Sequence, residues 1–84
     1  MTIIAIVETL QAGYDFQKKR MEELGFKVGD RIEVKDIVVH QSSTDVYLEG
    51  YKGSFNSVFF EFEENGEEFD PISDRRFNNY LYVR

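Results

Sequence analysis

The chain predicts an α+β domain that is mainly β: a small barrel of about five short antiparallel strands with one short helix near the N-terminus. Three observations lead there. Ile, Val and Phe come in short runs; Gly- or Asn-bearing turns separate the runs; and only one stretch carries helix signals at both ends. At 84 residues the chain makes a single domain, 1–84, and a domain of that size needs a core dense in large side chains. Eight Phe and five Tyr supply it.

The elements follow in order. Thr2 to Thr9, rich in Ile and Val and followed by Gly13, reads as a strand; a helix starting at Ile3 competes, because Ile3, Val7, Leu10 and Tyr14 also fit a helical stripe. Asp15 is placed as N-cap of a helix over Phe16 to Leu24, with Gly25 at C′ and Phe26 at C″. Gln17, Met21 and Leu24 share one face of it, with Phe16 beside them. Lys18 and Lys19 oppose the macrodipole near its start, so packing must hold this helix.

Val28, Gly29 and Asp30 turn into the next strand. Ile32 and Val34 share a face, but Ile37 and Val39 are out of phase with them, which predicts a bulge at Lys35 and Asp36. A polar loop, His40 to Thr44, leads to a strand over Asp45 to Glu49. Gly50 to Gly53 turns into a longer strand, Ser54 to Glu63. Asn65-Gly66 is the signature of a type I′ hairpin, and a last strand is expected over Tyr80 to Val83. Short strands, sharp turns, a bend and one helix in this length point to an SH3-like barrel.

The run KKRMEELGFKVGDRIEV resembles the helix, Leu-Gly and strand start of SH3-like domains of the FeoA type, which assist bacterial ferrous-iron transport. That resemblance implies the fold and no function. The segments GFKVGDRIEVKDI and SSTDVYLEGYKGSFNSVFFEFEENG resemble small proteins encoded by phages and prophages of bacteria. This second resemblance implies an accessory protein acting on a host component inside the bacterial cell.

Charge is concentrated. The net charge is −6, and FEFEENGEEFDP holds six carboxylates, Glu61, Glu63, Glu64, Glu67, Glu68 and Asp70; the rest of the chain has ten acidic and ten basic residues. A two-residue Asn65-Gly66 loop sets Glu64 opposite Glu67, Glu63 opposite Glu68, Phe62 opposite Phe69 and Glu61 opposite Asp70. Phe60, Phe62 and Phe69 then form a core face, and Glu61, Glu63, Glu68 and Asp70 an outer one. Opposed like charges about 5 Å apart repel by roughly 0.8 kcal/mol per pair in water before screening. A Phe-anchored hairpin tolerates that.

Such a face has three readings: a solubilising surface, a contact for a host protein with a basic or nucleic-acid-binding surface, or a cation site. The order Glu-Asn-Gly-Glu-Glu lacks the EF-hand pattern, and one His without Cys is a poor start for a transition-metal site, so no metal and no cofactor are expected. Tyr51 and Lys52, with Phe55 and the Ser54, Asn56 and Ser57 side chains around GYKGSFNS, are a second candidate contact. Arg75 and Arg76 with Phe77, Tyr80 and Tyr82 suggest an alternative, a nucleic-acid-binding patch, which the acidity of the chain opposes; these arginines could also pair with the acidic ribbon, within the chain or across a homodimer.

His40, Ser42, Ser43 and Asp45 have the residue types of a hydrolytic triad. They are contiguous, and there is no nucleophile elbow, so they read as a polar loop and no enzyme is expected. The absence of Cys fits an intracellular setting, and the start MTIIAIVETLQ resembles neither a signal peptide nor a membrane span. The expectation is a cytoplasmic binding protein.

Overall fold

The computed structural model describes residues 2–78. The elements are β1 (Ile3–Val7), α1 (Asp15–Glu23), β2 (Arg31–Val39), β3 (Thr44–Leu48), β4 (Ser54–Asn56), β5 (Phe60–Glu64) and β6 (Glu67–Phe69), with 3₁₀ turns at Ser57–Phe59 and Pro71–Ser73. Their strands form one antiparallel sheet of six strands in the order β4-β3-β2-β1-β5-β6. The domain is thus α+β and mainly β, as expected, with six strands among the described residues where about five were expected. No pairing joins β4 to β6 among the described residues, so the sheet is not closed.

β1 is a strand, which settles the choice against a helix. It lies between β2 and β5, and its sequence IIAIV is apolar on both faces. The pairing of β2 with β3 shifts register between Val34 and Asp36, at the expected bulge. Because of that shift, Ile32 and Val34 before it and Ile37 and Val39 after it all pack on the core side.

The expected strand over Ser54 to Glu63 is two strands. Asn56 Oδ1 accepts from the Val58 N–H at 3.2 Å, which starts the 3₁₀ turn at Ser57–Phe59. The chain leaves β4 at one end of the sheet there and returns as β5 beside β1. Buried Phe59 is the pivot: its carbonyl accepts from the Glu8 N–H at 2.8 Å and the Thr9 N–H at 3.4 Å.

The core lies on one sheet face. Ala5, Val7, Ile37, Val46, Leu48, Phe55, Phe60 and Phe62 come from strands, and Met21, Phe26 and Phe59 close over them. Ring contacts run unbroken from Tyr51 through Phe26, Phe55, Phe60, Phe62 and Phe69 to Phe77, with centroids 5.1 to 6.4 Å apart. The high Phe content therefore forms a seam along the whole sheet.

Helix α1 departs from expectation at its start and on its face. Its N-cap is Tyr14, because Gln17 Oε1 accepts the Tyr14 N–H at 2.9 Å; Asp15 is the first helical residue instead and meets Lys18 at 3.8 Å. The C-terminus is the expected one. Gly25 adopts φ +79°, its N–H reaches the Glu22 carbonyl at 2.9 Å, and the Phe26 N–H reaches the Met21 carbonyl at 3.1 Å, a Schellman motif.

Of the expected apolar face only Met21 is buried, while Leu24 is 44% and Phe16 71% exposed. The helix is held from another side. Arg20 donates to the Ser54 and Lys52 carbonyls and lays its guanidinium 4.0 Å over the Phe55 ring.

Candidate functional site: an acidic sheet face

The hairpin forms as the Asn-Gly signal predicts, with Asn65 at φ 52° and Gly66 at φ 84°. Phe62 faces Phe69, Glu63 faces Glu68 and Glu64 faces Glu67. The ladder stops there, so the expected Glu61–Asp70 pair does not form. Asp70 instead caps the turn at Pro71–Ser73, accepting the Ile72 N–H at 3.0 Å and the Ser73 hydroxyl at 3.1 Å.

Sheet register extends the acidic face beyond the hairpin. Across β2, β1, β5 and β6, one row runs Glu33, Ile4, Glu63, Glu68, and the next runs Arg31, Ile6, Glu61. Half-buried Ile4 and Ile6 form the centre, since Ala5 and Val7 point to the core. Around them stand four carboxylates and one guanidinium. Arg31 bonds Glu63 at 2.6 Å, and that hydrogen bond raises the Arg31 pKa. Glu33, Glu61 and Glu68 are exposed and make no ion pair among the described residues.

Glu64 points to the opposite, Phe-bearing side and is neutralised. Arg76 grips its carboxylate with two bonds, 2.7 and 2.8 Å, and Asp74 with another at 2.6 Å, while its guanidinium lies 5.7 Å from the Phe69 centroid and 5.2 Å from that of Phe77. These hydrogen bonds lower the Glu64 pKa; Arg76 lowers that of Asp74 through its side chain first and its backbone N–H second. Arg76 is held well into the cationic range, by Asp74 first and Glu64 next. Glu67 is exposed at the hairpin tip.

The six acidic candidates thus divide. Glu61 and Glu68 stand on the outer face without an ion pair among the described residues, Glu63 is paired there, Asp70 is a cap, Glu64 belongs to the Arg76 clamp and Glu67 to the tip. Of the second contact, Tyr51 packs on Phe26 at 5.1 Å and the Lys52 carbonyl serves Arg20. Of the alternative patch, Arg76 is engaged by two carboxylates, and Tyr80 and Tyr82 lie outside the described residues, as does the expected last strand. His40 Nε2 meets Asp45 at 3.0 Å, a pair bridging the ends of the polar loop. Among the described residues no three His, Asp or Glu side chains are grouped to hold a metal, and no helix is long and apolar enough to cross a membrane.

Sequence reading missed Glu33, Arg31, Ile4 and Ile6. A signal existed in IIAIV: a strand apolar at every position has an apolar outer face as well as an inner one.

The fold and this face define a small mainly-β domain that presents one acidic sheet surface with an apolar centre. The family model described as bacteriophage T4 protein Y07B matches residues 2–82, and the chain belongs to that family of phage proteins. No curated protein and no solved structure matches the chain.

Proposed function

We propose that this phage protein is a non-enzymatic accessory protein that acts in the cytoplasm of the bacterial host and docks on a host protein through its outer sheet face, as an inhibitor or a nucleic-acid mimic. The observation that carries the reading is the juxtaposition of half-buried Ile4 and Ile6 with the carboxylates of Glu33, Glu61 and Glu68, which have no ion pair among the described residues. An apolar centre inside a polar rim is the usual anatomy of a protein interface, and a rim of one sign selects a partner of the other. Carboxylates two residues apart on a strand recur at about 6.8 Å, and neighbouring strands add rows about 4.8 Å away, a spread that suits a basic groove. The strand order β4-β3-β2-β1-β5, in which the fifth strand returns beside the first, supports reading the fold as an open relative of SH3-like barrels.

The test is capture of host proteins on the immobilised chain, followed by titration of each purified partner at low and high salt. Glu33→Gln, Glu61→Gln and Glu68→Gln together should weaken binding by about tenfold or more at low salt, with little difference left at high salt. Unchanged affinity in the triple variant sinks the acidic-face reading. Binding instead to an oligonucleotide, lost on Arg75→Ala and Arg76→Ala, would replace it with the nucleic-acid alternative.

A further inference from the structure

We propose that the hairpin tip is a self-modification site: Asn65 loses its side-chain amide through a ring closed by the backbone nitrogen of Gly66, and the product is aspartate or isoaspartate. Three asparagines lie among the described residues, and the fold treats them differently. Asn56 is held at both ends of its amide, accepting from the Val58 N–H at 3.2 Å and donating to Gln17 Oε1 at 3.4 Å. Asn78 is buried and donates to the Ile72 carbonyl at 2.6 Å. Asn65 stands exposed on the I′ turn, at φ 52°. Its own N–H reaches the Thr2 carbonyl at 3.3 Å, a bond that ties neither its carboxamide nor the Gly66 nitrogen. Of the three it alone precedes a glycine, so no side chain shields the attacking nitrogen.

The reaction balances with water alone. The Gly66 nitrogen bonds to Asn65 Cγ, the side-chain nitrogen leaves with the displaced proton as ammonia, and a five-membered imide forms. Water then opens the imide at Cγ to give aspartate, or at the main-chain carbonyl to give isoaspartate. The turn sets the gate. In I′ geometry ψ of the first turn residue is about +30°, which holds the next nitrogen nearly trans to Cβ, so the ring closes only after the tip rotates out of the turn. That opening is local, because β6 has three residues, of which Glu67 and Glu68 are exposed and Phe69 is half-buried. The two products differ in consequence. Aspartate tolerates the positive φ and adds a carboxylate to a hairpin that already holds six. Isoaspartate routes the main chain through Cβ, so the two-residue turn no longer sets Glu63 opposite Glu68 and Phe62 opposite Phe69. Both outcomes stand whether or not the outer face docks on a partner.

The experiment incubates the full chain in mildly alkaline buffer and follows amide loss by peptide mapping with mass spectrometry. A second sample is unfolded in guanidinium chloride, and an isoaspartate-specific carboxyl methyltransferase reports the isomer. In the folded chain Asn65 should convert about tenfold or more faster than Asn56 and Asn78, with the methyltransferase labelling the same peptide. The ratio of its folded to its unfolded rate should exceed the globally unfolded fraction found by denaturant titration, since the tip opens without the core. Asn65→Asp, checked for an intact amide spectrum, should abolish the fast phase of amide loss. Asn65 left intact in the folded chain while the unfolded chain converts, earlier conversion of Asn56 or Asn78, a rate ratio equal to the globally unfolded fraction, or a fast phase that survives Asn65→Asp would each overturn the proposal.

Discussion

Arg76 shows how a single residue can hold a segment. It joins the hairpin, through Glu64, to the segment after β6, through Asp74, and covers Phe69 and Phe77. Both carboxylates have folded pKa values below their unfolded ones, so their contribution is full above the unfolded carboxylate range near 4 and is lost as pH falls through the folded values. Acid unfolding should therefore begin below about pH 4.5, and Arg76→Gln should shallow that limb relative to the native chain, followed by far-ultraviolet circular dichroism against pH. Gly13 and Gly25 make a second contrast. Both have positive φ, but a Cβ at Gly13 would meet Gln17 Oε1 and the Phe59 ring, at 3.2 and 3.3 Å for the latter, whereas a Cβ at Gly25 meets nothing within 4 Å. Gly25→Ala should cost about 1 kcal/mol of backbone strain and Gly13→Ala about 2–3 kcal/mol, measured by urea denaturation. Sequence marked Gly25 as a helix end; the crowding at Gly13 depends on Phe59, forty-six positions on, which no local signal reveals.

Among the elements, legibility follows the range of the interaction that decides each one. The I′ hairpin, the Schellman end of α1 and the bulge in β2 are local, and each stands where its residues indicate. The division of Ser54 to Glu63 was hidden because its apolar pattern runs on without a break. The Asn56 side chain that starts the turn is only a hint, and what separates β4 from β5 is that each pairs with a different neighbour. The docking of α1 was hidden for a similar reason. A helix of nine residues with one buried side chain is not kept in place by an apolar stripe, and Arg20 reads in sequence as a surface residue. Its contact with the Ser54 carbonyl engages the first residue of β4, a strand at the end of the sheet, and its contact with the Lys52 carbonyl holds the turn before it. Arg20→Ala should cost about 2 kcal/mol from hydrogen bonds and the cation–π contact. Faster hydrogen exchange should then appear across Asp15–Glu23 and β4 together, which a loss confined to the helix would contradict.

Across the whole molecule the charge is placed against stability. The core fixes the sheet, and truncating the buried pivot between β4 and β5, Phe59→Ala, should cost about 3–5 kcal/mol and leave little folded protein in a domain this small. The outer face adds nothing comparable: Glu63 opposes Glu68, Glu33 and Glu63 flank Ile4, and Arg31 is the only cation in those rows. Repulsion of this kind is screened within about 10 Å at moderate salt, so it has a clear signature. If the face exists for a basic partner, Glu61→Gln with Glu68→Gln should raise the thermal midpoint at low ionic strength and lose that advantage at high salt. The same pair of substitutions should weaken partner binding, giving opposite signs in the two measurements. A lowered midpoint in the double variant would mean that these carboxylates support the fold through contacts of their own. A face that serves only to keep the sheet in solution would instead give the rise in stability with no loss in binding, and the sign of the binding change decides between solvent and a basic partner as the counterpart of Glu61 and Glu68.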